Sequence, residues 1–91
     1  MSSLLGHVLL SYDLRNRHNE VKANMSKRGY YALITLGQNQ YRLPNTTLYK
    51  NNVSTDQALI DLRDACLQEG ATLEKAVAVI GAQWAAYDSG T

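Results

Sequence analysis

The sequence predicts an α+β fold, and three observations predict it. Strand-length apolar runs are separated by two stretches of helical periodicity, each run is bounded by turn-forming residues, and the order of the pieces is strand, helix, strand, strand, helix, strand. Ninety-one residues, 45% of them hydrophobic and 19% charged, are the stuff of one globular domain over 1–91 rather than of a disordered or fibrous chain. A domain of this size buries only roughly 60% of the surface its unfolded chain exposes, so a homodimer is the default expectation.

His7 to Leu14 is an apolar, β-branched and aromatic run closing on Asp13, which reads as a first strand buried on at least one face. Arg15 to Asn19 is loop chemistry, with Asn19 as the cap of a short basic helix carrying Val21 and Met25 on one face and ending at Gly29. Tyr30 to Leu36 predicts a second strand, interrupted by Gly37 to Gln40. Pro44-Asn45 marks a turn, and Thr46 to Lys50 predicts a third strand in a hairpin with the second. Asn51-Asn52 breaks that pattern. Ser54 and Gln57 have the spacing of a capping box, in which the serine caps the glutamine amide and the glutamine side chain reaches back. Ala58, Leu59, Leu62, Ala65 and Cys66 then recur at helical spacing until Gly70. Ala76 to Ile80 predicts the last strand, and Ala82 to Tyr87 a helical turn. The order is the ferredoxin-like βαββαβ arrangement, a four-stranded antiparallel sheet with two helices on one face. Right-handed crossovers place its first and third strands side by side in the centre.

Several function classes are excluded at once. A lone Cys66 allows neither a disulfide framework within the chain nor a cysteine zinc site, and favours a reducing, cytoplasmic setting. No apolar run has membrane-spanning length, and the first five residues are too short and uncharged for a signal peptide. Isolated glycines give no phosphate-binding loop, and His7 and His18 do not make a zinc motif. His7 reads as a sheet residue and Cys66 as a small core hydrophobe.

The formal net charge of +1 hides an uneven distribution. Residues 1–50 carry seven Lys and Arg against two acids, a balance of +5, and residues 51–91 carry two against six, a balance of −4. A basic half suits phosphate contacts, although the two halves can equally pack together and neutralise each other. Asp13 is the candidate for chemistry. A carboxylate closing an apolar strand either caps local amides at the solvent end or is held for a metal or a proton transfer. Arg15, Arg17, His18 and Lys22 follow at once, with Lys27 and Arg28 beyond, and these are the candidate phosphate-binding residues. One carboxylate is a poor site for Mg2+ or Mn2+ unless a symmetry mate supplies a second. Tyr12, Tyr30, Tyr31, Tyr41 and Tyr49 serve either as sheet filler or as stacking surfaces for bases. Trp84 and Tyr87 are read as covering an edge or a dimer seam.

The segment Val8-Leu9-Leu10-Ser11-Tyr12-Asp13-Leu14 resembles the opening strand of the Cas2-like family, whose members begin with an apolar strand ending in Tyr-Asp or Phe-Asp. The order of elements also resembles that superfamily, which includes VapD nucleases and type V antitoxins of the GhoS kind. The Leu43-Pro44-Asn45 segment, the Ser54-led acidic helix and the aromatic tail follow a similar plan. What the resemblance implies is a homodimer whose sheets meet and, in active members, cleavage of RNA or DNA with or without metal. Asp13 falls at the position of the family's metal-binding or catalytic aspartate. The loop after Asp13 lacks the further acid of the family pattern.

Two expectations follow. The first is a small nucleic-acid-binding protein, with endoribonuclease action of toxin-antitoxin or CRISPR type at Asp13 as its catalytic extension. The alternative is a non-catalytic protein-binding adaptor or inhibitor that uses the sheet or the acidic second helix, where Asp56, Asp61, Asp64 and Glu69 stand.

Overall fold

A computed structural model of the chain describes residues 4–81 and 85–87. The elements run β1 (Gly6–Leu14), α1 (His18–Lys27), β2 (Leu33–Leu36), β3 (Asn39–Arg42), β4 (Thr47–Val53), α2 (Thr55–Glu69) and β5 (Leu73–Gly81). The main sheet has three antiparallel strands in the order β4-β1-β5, and β2 and β3 form a separate two-stranded sheet.

Strand β1 lies in the middle and its alternation organises the domain. Val8, Leu10, Tyr12 and Leu14 are buried, and the residues between them point to the other face. The buried set joins Leu48 and Val53 of β4, Val21 and Met25 of α1, and Ala58, Leu62, Ala65 and Cys66 of α2 in one core. Both helices therefore cover the same face of the sheet. Burial of each aliphatic side chain contributes roughly 1.5–3 kcal/mol.

Helix α2 starts and stops as the sequence predicts. Ser54 Oγ accepts from the Gln57 amide at 3.0 Å, and Gly70, at φ 67°, closes the helix with its own amide on the Leu67 carbonyl. The Gln57 side chain does not reach back, however. It donates to Asp61 Oδ1 at 2.9 Å, one turn further on.

Helix α1 departs from expectation at its start. Arg17, not Asn19, stands at the N-cap, in the left-handed region at φ 62° and without a side-chain cap, so Asn19 lies inside the first turn. The reason lies one residue earlier, where the Asn16 side chain accepts from the Thr72 amide at 3.0 Å. That bond ties the loop to the start of β5 and turns the chain into the helix early.

The second expected strand is where the four-stranded sheet fails to form. Tyr30 turns inward, 1% exposed, and its hydroxyl donates to Asp61 Oδ2 at 2.7 Å. Tyr31 pairs with Tyr49 through two backbone bonds of 2.8 Å, and the chain then leaves β4. Leu33–Leu36 pairs instead with Asn39–Arg42 across a turn at Gly37-Gln38, where Gly37 has φ 64°. The edge of β4 explains this. The Thr47 amide is taken by the Pro44 carbonyl at 3.1 Å, and Asn51-Asn52 forms a bulge rather than a break, with Asn52 at φ 60° between the Lys50 and Val53 pairings to β1. Only Tyr49 remains to accept a neighbour. The last strand is longer than expected, Leu73–Gly81. Of the helical turn expected over Ala82 to Tyr87, residues 85–87 carry no regular structure, and Trp84 lies outside the described residues.

Two predictions test this core. Leu10→Ala should cost about 2–5 kcal/mol in urea unfolding, whereas Ser11→Ala, its neighbour on the open face, should change stability by less than about 0.5 kcal/mol. Burial pushes the Tyr12, Tyr30 and Cys66 groups above their ordinary ranges, and in Tyr30 the bond to Asp61 adds to the effect. Because these groups stay protonated in the folded chain, stability is full below their unfolded values and is lost as pH rises past them. The unfolding midpoint should therefore fall above about pH 8.5 for the thiol and about pH 10 for the phenols. A midpoint unchanged up to pH 11 would contradict this.

Candidate functional site

The open face of the sheet is built by the odd residues of β1 and their register partners. His7, Leu9, Ser11 and Asp13 run along it, with Thr47 and Tyr49 on the β4 side and Lys75, Val77 and Val79 on the β5 side. Val77 and Val79 are 56% and 53% exposed.

At the Asp13 end the face holds a shallow hollow of about 420 Å3, lined by Ser11, Asp13, Thr46, Lys75 and Val77 among others. Asp13 and Lys75 are direct register partners, which in an antiparallel pair brings their Cβ atoms within about 5.5 Å. They do not close into an ion pair. The ion pairs among the described residues are Arg15–Glu74 at 3.1 Å and Arg17–Glu20 at 3.6 Å. The hollow thus presents a carboxylate and an ammonium, with the Ser11 hydroxyl 3.4 Å from Thr47 Oγ1 and the Thr46 hydroxyl donating to the Asn45 carbonyl.

The predicted basic residues divide between the two ends of α1. Arg15, Arg17 and His18 are exposed where β1 hands over to α1, in the residues that follow Asp13, and Lys22 stands one turn into the helix. Lys27 and Arg28 lie at the far end of α1, about 15 Å away along its axis, and Arg28 Nε donates to Asn24 Oδ1 at 2.8 Å. They do not belong to the Asp13 cluster. Arg17 is partly held, because its Nε donates to the Glu69 carbonyl at 3.0 Å at the end of α2. The opposite charges of the two halves meet at Arg15–Glu74, but this pair is 70% and 41% exposed and contributes at most about 1 kcal/mol.

Sequence reasoning missed Lys75, Ser11 and Thr46 as neighbours of Asp13. Nothing in the chain order joins residue 13 to residue 75; the register of β1 with β5 does. The metal expected at Asp13 finds one carboxylate there, for among the described residues no group of three or more His, Cys, Asp or Glu comes together. The residues described do not by themselves make a metal centre, and the chemistry open to Asp13 is that of a carboxylate acceptor or base.

The other end of the face is different in character. A groove of about 510 Å3 runs between the β2–β3 hairpin and the sheet, lined by Tyr31, Leu33, Leu36, Tyr49, His7 and Gly81. His7 Nδ1 and the Tyr49 hydroxyl are 2.6 Å apart, and their rings stack at 5.9 Å. Burial raises the Tyr49 hydroxyl, keeping it protonated. The tyrosines are thereby sorted, with Tyr12 and Tyr30 as core filler and Tyr31 and Tyr49 on the open side.

Comparison of the chain with protein-family models, with curated proteins and with solved structures finds no match. Among the described residues no helix is long and apolar enough to cross a membrane.

Proposed function

We propose that this chain is a small nucleic-acid-binding protein that holds a phosphodiester backbone at the Asp13 end of its open sheet face. Its fold is a variant of the ferredoxin-like arrangement in which the second strand reaches the sheet by one bridge only. The observation that carries the reading is the register pairing of Asp13 with Lys75 in an open hollow, with the exposed Arg15, Arg17 and His18 next in the chain after it. Cations supply most of the affinity for a polyanion, and the Ser11 hydroxyl, which meets Thr47 Oγ1 only at a long 3.4 Å, adds a donor to phosphate oxygens. Asp13 gives the site its preference. A carboxylate repels phosphate but accepts from a ribose 2′-hydroxyl, the group by which a protein distinguishes RNA from DNA. Single-stranded RNA is thus the favoured ligand, and endoribonuclease action at Asp13, of the kind the family resemblance implies, is the catalytic extension. A cytoplasmic setting suits both the ligand and the buried free thiol of Cys66.

A second reading is supported by the exposed Val77 and Val79 beside Leu9, an apolar strip suited to a protein surface. There the chain acts as a non-catalytic adaptor or inhibitor.

Binding of labelled single-stranded RNA, measured with chelator present at several salt concentrations, separates the two. Joint substitution of Arg15, Arg17 and Lys22 by alanine should lower affinity and reduce the slope of log K against log salt by about 2. Lys75→Ala should weaken binding about tenfold, the loss of one charge-assisted contact, and Asp13→Ala, which removes the acceptor, should erase the preference for RNA over DNA of the same sequence. Equal RNA binding by the triple variant and the parent chain would sink the proposal and leave the protein-binding reading.

A further inference from the structure

The two edges of the main sheet are not alike. The Tyr12 amide donates to the Thr46 carbonyl, so the even residues of β1 direct their backbone toward β4 and the odd ones toward β5. In β5 it follows that Lys75, Val77 and Val79 bond inward to β1, while Ala76, Ala78 and Ile80 direct their amides and carbonyls outward. On the β4 side the Thr47 amide is taken by the Pro44 carbonyl and Tyr49 is paired in both directions with Tyr31. On the β5 side no described residue pairs with Ala76, Ala78 or Ile80.

Natural sheets guard such an edge with charge, proline, a bulge or a covering loop. Across Ala76–Ile80 there is no charge and no proline, and the one irregularity of the β1–β5 register falls earlier, between Asp13 and Leu14. Glu74 and Lys75 guard only the beginning of the strand.

We propose that β5 is the strand by which two copies of this chain join, edge to edge and antiparallel, into one six-stranded sheet with the two-fold axis at Ala78. The sequence of the edge selects this occupant. Reversed upon itself about Ala78, the run Ala76-Val77-Ala78-Val79-Ile80 sets Ala76 against Ile80 and Val77 against Val79. The four exposed valines then meet on the open face as cross-strand pairs. No charge enters the pairing, whereas moving the axis to Val77 would set Val79 against Lys75. This joins the two sheets along one edge, and it does not depend on the nucleic-acid proposal.

The mass of the intact chain in solution, followed by light scattering and sedimentation from micromolar to millimolar concentration, tests it. The parent chain should reach twice the 10.1 kDa of one copy. Ala78→Pro removes only an outward amide, so it should halve that mass while the circular dichroism spectrum and RNA affinity per chain hold. Should that variant fail to fold, the pair V77K/V79K and V77E/V79E gives the answer: each alone should be monomeric, and their mixture should form the heterodimer. Leu9→Lys, on the open face away from the edge, should remain dimeric. A parent chain that stays monomeric throughout, a folded Ala78→Pro that stays dimeric, or charge variants that fail to pair on mixing would each overturn the proposal.

Discussion

The period-two alternation of β1 is the constraint on which the rest of this structure depends. Val8, Leu10, Tyr12 and Leu14 carry one side of the strand into the core, so His7, Leu9, Ser11 and Asp13 have no choice but to face the other way. A shift of one residue would bury Asp13 and expose Leu10. Because β1 is central, the same parity passes by register to β4 and β5, placing Lys75 beside Asp13 and Tyr49 beside Leu9. The composition of the open face is thus a consequence of how the core is filled.

A second, smaller constraint acts at Tyr30. Its ring is buried, its hydroxyl is held by Asp61 of α2, and the Lys50 ammonium lies 5.0 Å from the ring centroid while donating to the Arg28 carbonyl at 2.8 Å. Helix α1, β4 and α2 are joined through this one residue. Gly29 makes the turn into it at φ 90°, in the left-handed region that favours glycine. With Tyr30 committed inward and the β4 edge interrupted on either side of Tyr49, by the Thr47–Pro44 bond and by the Asn51-Asn52 bulge, the following residues find their pairing in a local hairpin. That hairpin, standing off from the sheet, is what creates the groove at the His7 end.

Much of this was legible in the residues themselves. The apolar run before Asp13, the Ser54 cap and the Gly70 stop are local signals, and the elements they mark stand where expected. Asp13, which the sequence leaves between a solvent-end position and one held for chemistry, is exposed. The errors fall where a distant partner decides. Asn19 loses the cap because Asn16 is engaged by Thr72, Tyr30 leaves the strand because Asp61 waits across the core, and Asn51-Asn52 bulges instead of breaking because β1 continues to pair on both sides of it. Lys75 reads as no more than the flank of an apolar run until register sets it against Asp13. Lys27 and Arg28, grouped with Arg15 by charge alone, are parted from it by the length of a helix.

The central claim is that the Asp13–Lys75 hollow and the adjoining loop hold nucleic acid, and the most direct measurement is amide chemical-shift mapping of the labelled chain titrated with single-stranded RNA. The account predicts that shifts concentrate at Ser11, Asp13, Arg15, Thr46 and Lys75, and leave the outer face of α2 at Ile60, Asp64 and Leu67 unmoved. Shifts confined to α2 or to the His7 groove, or no shifts at all, would contradict it.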